Sequence, residues 1–286
     1  YRVGVLAAGA GALYIADAWG WKASYMCMAG LMTIGMVAAF LAPEPPSDLK
    51  PHREKPGFVY TITAPIKELW TRLGSMAIPI LLMIAGFRMP GYVAHAMAIP
   101  LFKHLEYTDS EIATVTKIFG FGIAIAGTFF SAFLVRKLGM MSSLLIGTVF
   151  GSASHLSLAW LAANGHTNFW AFALAVGVDG FAASFATVVL ITYMSSLAST
   201  ELAASQYALM TSICALPGSI LAGASGFIIK QTGFTWFFVW TSLIGLPVAA
   251  LAWWVWRKQE RLHLHLEAED RDGDGIPDSQ QRPAGH

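Results

Sequence analysis

The residues that could do chemistry in this sequence are few, and most of them are bases. Arg88, Lys117 and Arg2 stand within long apolar runs, and only one acidic residue, Asp179, lies deep in such a run. A charge inside an apolar helix costs about 2.5 to 3.5 kcal/mol on insertion scales, so each needs a partner or a wet cavity. At ~1.5 Å per residue, Arg88 falls ~18 Å into its run and Asp179 ~15 Å into its own, both near the middle of a ~30 Å apolar layer. Arg2 lies ~22 Å from the far end of its run, and Lys117 only ~8 Å from the near end. An excess of bases suits an anionic solute whose carboxylates or phosphates supply the counter-charge, and Arg grips a planar carboxylate with two donors. The plainer reading stays open beside it: Arg88 and Asp179 pair with each other, and acids beyond this sequence neutralise Arg2 and Lys117.

Other polar groups extend the set. Tyr92 follows Arg88 by one turn and His95 by seven residues, on roughly the same face, with Pro90 and Gly91 between them expected to kink the helix. Asp179, followed by Gly180, is a candidate proton carrier. His95, which with His155 is one of two histidines well inside apolar runs, reads either as a helix contact or as a proton relay. Gln206 and Tyr207 open a later run and read as inner-gate residues or as a simple helix start. No clustered nucleophile, acid–base pair or metal-ligand spacing occurs, so the sequence points to no catalytic residue, no metal and no cofactor. Cys27 and Cys214 sit singly in apolar runs and read as core residues.

The elements that must position these groups are membrane helices. Of 286 residues, 56% are hydrophobic and 12% charged, about half the charge of an ordinary soluble domain. The net charge of +1 offers no field for nucleic acid. Eight apolar segments of helical length appear, roughly 2–16, 23–42, 76–100, 112–134, 141–163, 169–195, 206–229 and 234–255. The ~10-residue alternation of a barrel is absent. The first segment opens on Tyr1 and reaches Asp17 too soon to cross with normal flanks, so it reads as beginning within a helix; this end shows no charged head, short apolar core and cleavage site of a signal peptide.

Lys50, Arg53, Lys55, Lys67, Arg72, Arg136, Lys137, Arg257, Lys258 and Arg261 fall on one side of these spans, against Lys22, Lys103 and Lys230 on the other. The first side is therefore expected to be the cytoplasm. The connection from Pro43 to Ser75 lies there, with a Pro-rich start and then an amphipathic helix showing Ile66, Leu69, Trp70 and Leu73 on one face. The expected organisation is residues 1–42 as two helices, 43–75 as linker, 76–256 as a six-helix unit and 257–286 as a polar tail. Small residues at helical spacing, Gly4 to Ala12, Gly120 to Ser131 and Gly218 to Gly226, mark close helix contacts. Asp270 to Gly275 begins like a calcium loop, but Gln281 stands where the bidentate Glu belongs.

Two helices, a long linker and six helices are what a twelve-helix, six-plus-six transporter leaves when its first four helices are removed. Tyr1-Arg2-Val3-Gly4, Gly11 to Asp17, Gly20 to Tyr25 and Leu41 to Pro45 resemble the fifth and sixth helices of the muropeptide permease (AmpG-type) family of the major facilitator superfamily. Thr116 to Gly120, Ala204 to Leu209 and Gly226 to Trp236 are similar to its eighth helix, eleventh helix and last outer turn. The sequence departs from the superfamily in the loop from Ser131 to Gly139, where Val135 replaces an expected Asp. The resemblance implies an all-α major facilitator fold carrying helices five to twelve, in a multi-pass protein of the bacterial inner membrane. It further implies a secondary transporter, not an enzyme, importing anhydro-muropeptides with protons as the coupling ion. The same fold with another anionic cargo, such as acetyl-CoA, is the alternative; a membrane sensor or membrane enzyme is the remaining class. On the transport reading, Arg88, Lys117, Arg2, Tyr92 and Gln206 bind the solute, and Asp179 and His95 carry the proton. The partners are then the solute, protons and lipid.

Overall fold

The computed structural model describes residues 4, 11–42, 58–199 and 202–269. Arg2, the proline-rich start of the linker and the calcium-loop-like stretch of the tail lie outside them. Among the described residues every regular element is helical. Six helices among the described residues are long and apolar enough to cross a membrane, and large side chains such as Phe40, Phe129, Phe227 and Trp170 are mostly exposed on their flanks. Apolar surface of that extent on a helix exterior belongs against lipid or other helices.

Two of the long helices are hairpins. Helix α1 (Ala12–Leu41) breaks at Gly20 (φ 81°, ψ 165°). Ser24 Oγ donates to the Ala12 carbonyl at 2.7 Å, a pair that an unbroken helix would hold ~18 Å apart. Amphipathic α2 (Phe58–Leu73) follows, then α3 (Ala77–Phe87), α4 (Met89–Ala96), α5 (Ala98–His104) and α6 (Asp109–Ala113). After α7 (Gly120–Leu138), α8 (Met140–Ala153), α9 (His155–Asn164) and α10 (Phe169–Leu197) comes α11 (Ala203–Glu269). Helix α11 breaks at Gly233 (φ 77°, ψ 169°) and folds back, since Met210 and Cys214 before the break share a core with Ala252 and Val255 after it. Gly20 and Gly233 occupy the same backbone region, which is open essentially only to glycine.

The segment expected as one span over 76–100 is broken at Arg88 (φ −94°, ψ −6°) and again at Met97. The kink lies before Pro90 rather than at Pro90–Gly91, for a chemical reason. Pro90 has no N–H to offer the Gly86 carbonyl one turn back, and the Arg88 N–H bonds that carbonyl instead. The span expected over 112–134 is interrupted by a π-turn, Thr114–Phe119, which carries Lys117.

Two apolar clusters fill the bundle. One packs Ile80, Met83, Leu144, Phe185, Met210 and Val255; the other packs Leu101, Phe102, Leu158, Phe172, Phe237 and Phe238. At one end Tyr107 stacks on Phe172 and His166 while its hydroxyl meets Thr167, and His104 lies against Phe234. At the other end Arg72 donates to the Leu197 carbonyl, and the Gln206 amide reaches Glu68 and the Pro65 carbonyl. The turns that charge bias assigned to opposite sides thus collect at opposite ends.

Candidate solute and proton site

The break at Arg88 has a direct consequence for the site. It frees the arginine from the helical register of α3 and opens a cavity of about 550 Å³, lined among others by Arg88, Tyr92, His95, Thr148, His155 and Ser219. The volume lies within the range of small-molecule pockets. The Arg88 guanidinium stands over the Tyr92 ring, 5.1 Å from its centroid. Gly218 of α11 makes room for that ring: a Cβ there would lie 2.7 Å from Tyr92 Cβ and 2.9 Å from Cγ.

Arg88 makes no ion pair with an acidic side chain among the described residues. The pairing of Arg88 with Asp179 weighed from the sequence does not form. Asp179 is instead enclosed by α4, α8, α9 and α10: His95 Nε2 lies 2.8 Å from Oδ2, Ser154 Oγ 3.1 Å from Oδ1, and His155 Nε2 3.9 Å from Oδ1. Asp179 is 5% exposed, whereas the His95 side chain is 45% exposed. Asp179 thus sits behind His95.

Both ring nitrogens of His95 have a partner. His95 Nδ1 lies 2.8 Å from the Gly91 carbonyl, which can only accept, so Nδ1 carries a hydrogen. A neutral His95 would then turn a lone pair from Nε2 toward Asp179 Oδ2, and a carboxylate there would also have only lone pairs. A 2.8 Å contact requires a hydrogen between them. The 2.8 Å contact is thus that of a hydrogen-bonded His95–Asp179 pair.

Of the residues singled out from the sequence, the structure gathers Arg88, Tyr92, His95 and Asp179. Lys117 stands apart on the π-turn with its side chain exposed, outside the lining of the cavity. Gln206 is fully buried at the linker end, where its amide is spent on Glu68, the Pro65 carbonyl and the Ser199 N–H. Those bonds hold a linker helix and leave nothing for a solute in the cavity. His155 is the group that sequence reasoning noticed but gave no role; its depth in the run and its kinship in type with His95 were the available signal.

Residues 1–223 match the Major Facilitator Superfamily. The chain belongs to the major facilitator superfamily. Within this superfamily it is similar to AmpG 4 of Rickettsia felis, named as a transporter, at 28% identity over 86% of this chain and 60% of the relative. It is similar to AmpG 3 of Rickettsia prowazekii at 27% over 91% of this chain and 62% of the relative. The anhydromuropeptide permease of Escherichia coli K12 is 24% identical over 86% of this chain and 50% of the relative. The chain spans about half to three-fifths of the length of these relatives. A multi-pass, all-α membrane protein of a transporter superfamily is the frame in which the cavity stands.

Proposed function

We propose that this major facilitator chain is part of a secondary transporter that imports anhydro-muropeptides from periplasm to cytoplasm across the bacterial inner membrane, driven by protons. The observation that carries the reading is one cavity wall holding an Arg88 without a carboxylate partner among the described residues, next to the hydrogen-bonded His95–Asp179 pair. The name of the Escherichia coli relative supplies the solute class.

The chemistry follows from the groups present. A carboxylate of the solute's peptide completes Arg88 through two N–H donors, which an ammonium could not arrange in one plane. Tyr92, whose ring already backs the guanidinium, offers an apolar face to a sugar or methyl group. His95 lies on the same helix, three residues past Tyr92, and passes its proton between the cavity and Asp179 as the cavity changes the side to which it opens.

The test is uptake by proteoliposomes containing the full-length gene product that includes this chain. Labelled anhydro-muropeptide should accumulate when the outside is acidic, and the proton ionophore that collapses the gradient should abolish accumulation. Uptake unaffected by the gradient overturns proton coupling. Displacement of the label by acetyl-CoA but not by unlabelled muropeptide overturns the solute class and favours another anionic cargo.

A further inference from the structure

His155 presents an unexplained cost. Its side chain is 2% exposed, and the Thr241 backbone beside the ring leaves its Nδ1 without a well-formed hydrogen bond among the described residues. A buried polar atom left alone costs about 1 to 3 kcal/mol, and such exceptions in packed interiors call for a reason. On its other side Nε2 stands 3.9 Å from Asp179 Oδ1, about 1 Å too far for a hydrogen bond. The His95 and His155 rings meet edge to face with centroids 6.2 Å apart. Asp179 thus offers one oxygen to each histidine: Oδ2 is taken by His95, and Oδ1 looks toward His155 across a gap.

The surroundings of the ring come from four elements. Helix α10 brings Asp179, α4 brings His95 with Arg88 beyond it along the cavity wall, and the α8–α9 join brings Ser154. Helix α11 brings the backbone of Thr241. The hydroxyl hydrogen of Ser154 cannot fully serve both acceptors near it, the Gly151 carbonyl at 2.8 Å and Asp179 Oδ1 at 3.1 Å. Oδ1 is therefore the carboxyl oxygen with bonding capacity to spare.

We infer that His155 is the second station of a proton relay, receiving through Asp179 the proton that His95 takes from the cavity. The inference rests on the proton-coupled reading above. In the first step His95 Nε2 gives its hydrogen to Asp179 Oδ2, leaving His95 neutral with its hydrogen on Nδ1 and Asp179 a neutral acid. Rotation of the carboxyl group and an approach of about 1 Å then bring that hydrogen to His155 Nε2. His155 becomes an imidazolium with hydrogens on both nitrogens, and the carboxylate of Asp179 is restored. One proton has passed from a ring 45% exposed to one 2% exposed; only N–H and O–H bonds have been exchanged, and no electron is gained or lost. Because His95 and His155 stand on different helices, a small shift of α4 against α9 and α10 decides which of them Asp179 serves.

Nitrogen NMR of the histidine-labelled full-length protein in lipid nanodiscs tests this without any solute. The His155 signal, assigned by its loss in His155→Gln or, should that variant not fold, in His155→Asn, should pass from one protonated nitrogen to two as the sample is acidified. The same change should be absent in Asp179→Asn. A ring that stays neutral in one tautomer throughout the titration, as a purely packing histidine would, overturns the proposal. In proteoliposomes the ratio of gradient-driven uptake to solute counterflow should fall about tenfold in the His155 variant, a barrier change of about 1.4 kcal/mol; an unchanged ratio also overturns it. A wild-type protein without gradient-driven uptake would instead sink the proton-coupled reading, and the NMR titration would still report on His155.

Discussion

At the scale of single residues, the decisive fact is which charge has a partner. Asp179 faces His95 and Ser154, and Arg88 lines the cavity without an ion pair among the described residues, its fork turned to where a solute would lie. Arg88→Lys keeps the charge and loses the planar fork. Uptake affinity should then drop about tenfold, the worth of roughly one charge-assisted bond, while folded yield stays near that of the wild type because the side chain is exposed to the cavity. Measuring uptake per folded transporter separates the two; unchanged affinity would mean that Arg88 does not grip the solute in the plane of its guanidinium. Much of this site was legible in the sequence, since a base and an acid at mid-depth in apolar runs are rare and costly. What the sequence could not give was the pairing. Arg88 and Asp179 are complementary in sign and similar in depth, but depth says nothing about azimuth around a helix, and it is azimuth that turns Asp179 toward two histidines.

Elements set that azimuth. The break at Arg88 exists because Pro90 leaves the Gly86 carbonyl without its usual donor, and the same break lets Tyr92 swing against α11. Proline positions are readable in a sequence; the residue at which the strain is released is not, because it depends on which N–H finds the orphan carbonyl. The π-turn around Lys117 escaped for a similar reason, as an extra residue per turn leaves the apolar pattern almost unchanged. Gly218 carries a test at this scale. A methyl group there would press on the root of the Tyr92 side chain, which cannot swing away as a flexible tip could. Gly218→Ala should therefore cost about 1 to 3 kcal/mol of stability, seen as a lower melting temperature in detergent, and adding Tyr92→Ala should recover the melting temperature but not the uptake. A single variant as stable as the wild type would show that α4 and α11 are looser here than this contact implies.

For the whole molecule, the spans and their alternation were the most legible feature, because lipid forces long apolar helices whatever their partners. The structure brings residues 104–108, 165–167 and 234 to one end and residues 65–72, 197–199 and 206 to the other. If the Lys/Arg bias sets orientation, a reporter fused at Ser47 should be cytoplasmic and one fused after Thr108 periplasmic, read by paired phosphatase and fluorescent fusions. The reverse pattern would invert the sidedness of the cavity.

The contact between α2 and the start of α11 turns the linker helix into a strut. Pro65, Glu68 and Arg72 are fastened to Gln206 and Leu197, so α2 cannot swing about its end without breaking those bonds. A helix rising ~1.5 Å per residue holds Phe58 roughly 22 Å from Leu73. What the fastening controls is therefore direction: the chain enters the bundle from the one point that the strut fixes.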